Sequence, residues 1–293
     1  MALNLKTFAT RTITAAVFVA VLLACICGNY VSFTGLFFIV SIWGLYEFYQ
    51  LSEKLGAKPY KLIGYIAGIC LFCYAIVANS NLALFYPADN IIPFIFVFVF
   101  CVFIVALFDT DKNTILNIAH TLAGLIYAVI PFMILVNISC IDKAYTFNHP
   151  EGSNFETIAP YNSHYVLGII LLIWASDVCA YLVGSFIGKN KLYERISPGK
   201  TWEGSIGSAI LTIGCSFMIA HWFPELELKH WIVISLLVCV FGTIGDLVES
   251  MIKRQAGVKD SGSIMPGHGG ILDRFDSLLF VSPFIYAYLT LIH

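Results

Sequence analysis

Long apolar runs separated by short polar stretches make up most of this chain, and the runs share one length. The pattern predicts nine helices over roughly 12–29, 32–51, 60–79, 91–108, 114–138, 163–187, 203–223, 230–250 and 271–292, each close to the ~20 apolar residues that a membrane crossing needs. Almost no loop separates the first two runs, a spacing compatible with a hairpin. The expected fold class is therefore all-α, a polytopic integral membrane protein. One stretch breaks the pattern: between the last two runs, residues 250–276 read SMIKRQAGVKDSGSIMPGHGGILDRFD and crowd basic residues, aspartates, a histidine and glycines between apolar segments.

Composition supports the membrane reading over one or two soluble domains, with 59% hydrophobic and 12% charged residues in 293 and a mean hydropathy of +0.85. A net charge of -2 gives no global footprint for nucleic acid, so no nucleic-acid partner is expected and any anion must be met by a local cluster. The nine cysteines lie mostly inside apolar runs; the CxxC of Cys70 and Cys73 has no second pair and no nearby histidine, so it reads as packed thiols. Lys6 and Arg11 precede an apolar run without a small-residue cleavage site, which reads as a retained first span.

The distribution of Lys and Arg predicts orientation. With the N-terminus in the cytoplasm, Lys6, Arg11, Lys54, Lys58, Lys61, Lys112, Lys189, Lys191, Arg195, Lys200, Lys253, Arg254 and Lys259 all fall on the cytoplasmic side; Lys143 and Lys229 fall outside, and Arg274 starts the last span. The polar stretch 250–276 then faces the cytoplasm, and the loop 141–163 is an outer insertion. A division follows into an N-terminal group of about five spans, residues 1–160, and a C-terminal region of about four, residues 161–293, that carries the chemistry.

Ionisable residues in or at the ends of spans are costly and so mark function. Asp177 and Tyr181 lie one helical turn apart, with Gly184 and Gly188 continuing the row, which suits a cavity wall or a close helix contact. Ser197, Lys200, Thr201 and Glu203 belong to SPGKTWEG just before a span; a Walker motif is excluded, because no glycine stands five residues before Gly199 and no strand is expected before it, and the box reads as an anion site at a helix N-terminus. Asp246, Glu249 and Ser250 share one helical face, followed by Lys253 and Arg254 at the interface. Asp273 and Asp276 enter the last span behind the glycine-rich turn of His268, Gly269 and Gly270. Carboxylates gathered in a low dielectric call for a cation, and oxygen ligands favour Mg²⁺, so Asp246, Asp273 and Asp276 are candidate metal ligands. A divalent ion beside Lys and Arg describes a site for phosphates.

The run S-x-x-K-R-x4-K-D followed by P-x-H-G-G-x-x-D-R-x-D, here Ser250, Lys253, Arg254, Lys259, Asp260, Pro266, His268, Gly269, Gly270, Asp273, Arg274 and Asp276, resembles the signature of the phosphatidate cytidylyltransferase (CDP-diacylglycerol synthase) family. The likeness extends to SPGKTWEG and DVCAYLVG; where the family often carries a second lysine, this chain has Gly199. The resemblance implies transfer of CMP from CTP to phosphatidic acid, releasing pyrophosphate, with Mg²⁺ on Asp246 and Asp273, K⁺ sharing the centre, and a homodimer. It also implies catalytic roles for Asp246, Asp273, Lys253, Arg254, Lys259 and Arg274. Substrate contacts are expected from Asp177, Tyr181, Ser197, Lys200, Thr201, Glu203, Ser250, His268, Gly269 and Gly270. The expected location is a bacterial inner membrane with the site facing the cytoplasm. Two alternatives stay open at this point: an ion-coupled transporter, which would string carboxylates across the bilayer, and another CTP-dependent lipid enzyme such as a CDP-archaeol synthase or a polyprenol kinase.

Overall fold

A computed structural model describes residues 5–79, 91–141, 161–264 and 269–292, the side chains of 5–11 and 91–94 excepted. Every apolar run is helical: α1 (Leu5–Gly28), α2 (Tyr30–Lys54), α3 (Lys61–Ala78), α4 (Ile91–Leu107), α5 (Thr114–Gly124), α6 (Ile130–Ile138), α7 (Ser163–Ile187), α8 (Trp202–Trp222), α9 (Leu228–Gln255) and α10 (Leu272–Ile292). Among the described residues seven helical stretches are long and apolar enough to cross a membrane, and Thr12–Gly28 and Ile95–Leu107 are shorter apolar helices. Large apolar side chains face outward along them, including Ile39, Leu62, Phe100 and Ile104, as lipid-facing surfaces require. The protein is an all-α polytopic membrane protein.

Local chemistry sets the breaks. Asn29 alone separates α1 from α2: its Oδ1 accepts from Ser32 N at 2.9 Å while Ser32 Oγ accepts from Asn29 N at 3.0 Å, a reciprocal cap that starts a new helix. The expected helix 114–138 is continuous in direction of chain but passes through a π-helical turn, Leu125–Val129, between α5 and α6. Pro131 follows immediately; it has no N–H to give to the preceding turn and its ring crowds the carbonyl four residues back, which a wider turn relieves.

The sequence pattern did not anticipate strands. Residues Lys191–Tyr193 (β1) and Ser197–Thr201 (β2) pair antiparallel, with Lys191 opposite Thr201. Thr201 then caps α8, its Oγ1 accepting from Gly204 N at 3.1 Å. The hairpin is held from behind by Glu203, whose carboxylate accepts from Lys189 N and Asn190 N at 3.1 Å and from Asn190 Nδ2 at 2.6 Å.

The core runs between α2, α6, α7, α9 and α10. Phe275 sits edge-on to Phe132 at 5.4 Å and to Phe18 at 5.7 Å, an aromatic arrangement favoured by ring quadrupoles. α7 and α8 approach closely because small residues face each other: a Cβ at Gly204 would lie 3.0 Å from the Ala180 carbonyl oxygen and 3.2 Å from Gly184 Cα. Gly184 therefore serves helix packing, and it also lines the cavity described below, so it fills both roles that its spacing allows. Ser176 and Ser208 continue that seam with a hydroxyl pair at 3.0 Å.

Away from the C-terminal helices, the connection into α5 forms its own polar knot. Asp109 accepts from Tyr60 Oη at 2.7 Å, and Asp111 pairs with Lys58 at 2.9 Å. The Tyr60 hydroxyl above all, then the Asp111 amide, holds Asp109 below the usual carboxylate range, and the Asn113 amide and then Lys58 do the same for Asp111. A folded value below the unfolded one stabilises above about pH 4 and loses that contribution as pH falls through the folded value. The Asp109→Asn, Asp111→Asn double variant should thus melt below the parent at pH 6, with the gap closing on acidification toward pH 3; a gap independent of pH would refute the assignment.

Candidate active site

Residues from α1, α7, β2, α8, α9 and α10 line a cavity of about 720 Å³. Its charged lining consists of Asp177 from α7, Lys200 from β2, Asp246 from α9, and Asp273, Arg274 and Asp276 from α10. An apolar wall adjoins them: Phe18, Val19 and Leu22 from α1 and Ile170, Ile173 and Trp174 from α7. A space lined by both charged and hydrocarbon side chains suits an amphiphile, and with four aspartates against one lysine and one arginine its charged lining is acidic on balance.

The charges are arranged in pairs. Lys200 Nζ lies 2.6 Å from Asp246 Oδ2 and 3.4 Å from the Thr243 carbonyl oxygen, so the hairpin lysine reaches across to α9. Lys253 turns inward, contrary to the simple snorkelling that its place at a helix end allows. Its Nζ lies 2.8 Å from Glu249 Oε2 and 2.6 Å from Asp273 Oδ1, and all three side chains are largely buried. Asp273 Oδ2 accepts from Ser261 N at 2.8 Å, Ser261 Oγ at 3.0 Å and Gly270 N at 2.8 Å. Gly269 takes φ +84° beside that carboxylate, and a Cβ there would lie 2.5 Å from Asp273 Oδ2, so the turn needs glycine on both counts. Asp276 Oδ1 accepts from Ser277 N at 2.7 Å.

Of the residues expected from sequence, Asp177, Tyr181, Ser197, Lys200, Thr201, Asp246, Asp273, Arg274 and Asp276 all line the cavity. Lys253 and Ser250 stand one contact behind it, Ser250 Oγ lying 3.4 Å from Asp246 Oδ1. Glu203 faces the hairpin turn instead, and Arg254 and Lys259 are exposed outside the cavity lining. His268 lies outside the described residues, as do Pro266 and Gly267. Three contributions escaped the sequence pattern. The α1 wall is purely apolar and carries no polar flag. Glu47, on α2, reaches the segment that starts α10. Among the described residues, the buried hydroxyl of Tyr127, in the π-helical turn, has no hydrogen-bond partner, and neither has the buried Oε1 of Glu249. For Glu47 the available signal was a lone carboxylate inside an apolar span.

The donor chemistry fits a hard cation. Among the described residues no three Asp, Glu, His or Cys side chains stand together as ligands for one ion, and lysine ammonium groups neutralise Asp246 and Asp273 where they stand. Among the described residues the hydrogen bonds and ion pairs of the two Asp246 oxygens and of Asp273 Oδ1 go to movable side chains, Lys200, Ser250 and Lys253, whereas Asp273 Oδ2 is anchored by backbone amides. A cation can therefore take up those oxygens without disturbing the backbone.

Fold and cavity together define an integral membrane protein with a carboxylate-lined chamber that also carries a lysine, an arginine and apolar side chains. The chain belongs to the cytidylyltransferase family, whose profile matches residues 9–292. It is 48% identical over 124 residues to the phosphatidate cytidylyltransferase of Staphylococcus aureus strain COL, covering 42% of this chain and 47% of that protein. It is 47% identical over 133 residues to the phosphatidate cytidylyltransferase of Bacillus subtilis strain 168, covering 45% and 49%. The chain thus spans about half the length of the curated relatives it matches.

Proposed function

We propose that this protein is a phosphatidate cytidylyltransferase, transferring CMP from CTP to phosphatidic acid to give CDP-diacylglycerol and pyrophosphate. The observation that carries the reading is the cavity that places Lys200, Arg274 and four aspartates beside an apolar wall. Family membership and the names of the similar proteins support it.

In this reading a phosphatidate phosphate oxygen attacks the α-phosphorus of CTP. A new P–O bond forms, the bond from the α-phosphorus to the bridging oxygen breaks, and its electron pair leaves with pyrophosphate. A phosphate monoester loses its second proton at about pH 6, so the nucleophile is largely ionised at neutral pH and no dedicated general base is required. The work left for the protein is orientation and charge stabilisation. Lys200 and Arg274 meet phosphate oxygens, and Lys253 holds Asp273 in place. Ser197, Thr201 and Tyr181 shape the nucleotide's side of the chamber, and the α1 wall receives the glycerol and first acyl carbons. Mg²⁺ would be held by Asp246 and Asp273, with Asp276 and K⁺ beside it, and would supply Lewis-acid stabilisation of charge at the α-phosphate.

The same reading takes nine crossings with the N-terminus and the cavity on the cytoplasmic side of a bacterial inner membrane, on the distribution of Lys and Arg, and a homodimer. Purified protein in detergent with phosphatidate, Mg²⁺ and each of the four nucleoside triphosphates in turn should release pyrophosphate with CTP and far less with the others. Absence of CTP-dependent release would overturn the proposal, and equal release with all four would overturn its nucleotide assignment.

A further inference from the structure

Glu47 is a carboxylate inside an apolar helix, 1% exposed, in a position where an ionisable group is expensive unless its oxygens are fully met. They are met entirely by the segment around α10's start. Oε1 accepts from Ile271 N at 2.9 Å; Oε2 accepts from Leu272 N at 3.0 Å and Ser261 Oγ at 2.9 Å. Ile271 stands immediately before α10 and Leu272 is its first residue, so Glu47 caps that helix from another helix, at the favourable end of its dipole. The fit is close on both flanks: a Cβ added at Gly262 or at Gly270 would run into the Glu47 carboxylate.

The same contacts reach Asp273. The Ser261 hydroxyl lies 2.9 Å from Glu47 Oε2 and 3.0 Å from Asp273 Oδ2, and its single hydrogen can serve only one of them at a time. Gly270 N donates to Asp273 at 2.8 Å, and the next two amides donate to Glu47. One short stretch of backbone is therefore divided between a cavity carboxylate and a carboxylate from α2.

We propose that Glu47 is a positioning residue for the phosphate-binding centre: by holding Ser261, Ile271 and Leu272 it fixes the first turn of α10 and hence the orientation of Asp273 and its partner Lys253. This rests on the cytidylyltransferase reading for its effect on turnover. Glu47 touches no substrate; it acts through Asp273. Replacement by Gln keeps the volume but turns an NH₂ group toward at least one donor, so one or more of the three contacts must fail.

The test uses the full chain in detergent, comparing Glu47→Gln, Ser261→Ala and Leu45→Ala with the parent. Leu45 is a fully buried α2 core residue away from the cavity lining. Glu47→Gln is expected to lower kcat by about 10–100-fold, the usual effect of removing an outer partner of a site carboxylate, and to speed hydrogen exchange at the amides of 270–272. Leu45→Ala should lower the melting temperature while leaving kcat per folded molecule and exchange at 270–272 at parental values. Ser261→Ala should change both readouts in the direction of Glu47→Gln by a smaller factor, and decides the matter if Glu47→Gln does not accumulate folded. Parental exchange at 270–272, or parental kcat beside an active parent, overturns the proposal. Exchange needs no substrate, so it judges the clamp even if the parent shows no CTP turnover, a result that would sink the enzyme reading alone.

Discussion

Asp246→Asn should lower kcat/KM for CTP-dependent pyrophosphate release by about 10³-fold, equivalent to ~4 kcal/mol of barrier. The amide preserves the shape and one acceptor, and the side chain is 33% exposed on the cavity, so packing changes little. What disappears is the charge that pairs with Lys200 across the chamber and that would hold a cation there. Loss of charge at a site built for charge stabilisation falls on the transition state, so kcat should carry the decrease. Melting should move by no more than ~1 kcal/mol, the usual range for a half-exposed pair. Near-parental turnover at ordinary Mg²⁺ would remove Asp246 from the centre.

The largest stability effect should come from Lys253→Met. Lys253 sits between Glu249 and Asp273 with side-chain exposures of 13%, 1% and 6%, and its removal leaves two carboxylates in a poorly solvated space. Breaking a buried pair by deleting one partner costs roughly 3–5 kcal/mol, because the remaining charge is stranded. Arg254→Met, one residue on and exposed, should stay within about 0.5 kcal/mol. Adding Glu249→Gln to Lys253→Met should recover part of the loss, since it deletes one stranded charge. Thermal unfolding in detergent measures all three variants; equal melting of Lys253→Met and Arg254→Met would show that Lys253 is not the keystone of this cluster.

Those contrasts also mark what could be read from the sequence. The helical runs were legible because a bilayer imposes a length, and the cavity aspartates because carboxylates at span ends are conspicuous. The i, i+4 relation of Glu249 and Lys253 was legible too, but the third member, Asp273, lies on another helix, and no local spacing announces such a contact. The hairpin of residues 191–201 was hidden by its brevity and by the lack of alternation in its residues. Glu47 was not legible for a different reason: it stands alone in its span, and its partners are backbone amides more than two hundred residues away, which have no side-chain identity to recognise. Phe18 and Leu22 looked like any lipid-facing residue until α7 and α10 were placed beside them.

The Lys200–Asp246 pair gives the chamber a thermodynamic property that neither residue has alone. At 2.6 Å each satisfies the other, so an anion that claims Lys200 pays for separating them, and so does a cation that claims Asp246. When one ligand has made that separation, the other binds without meeting its cost again. Linkage makes the effect reciprocal: nucleotide should raise the affinity for divalent cation by the same factor that the cation raises the affinity for nucleotide. On the proposed function, the chamber would then favour its two opposite charges together over either one by itself.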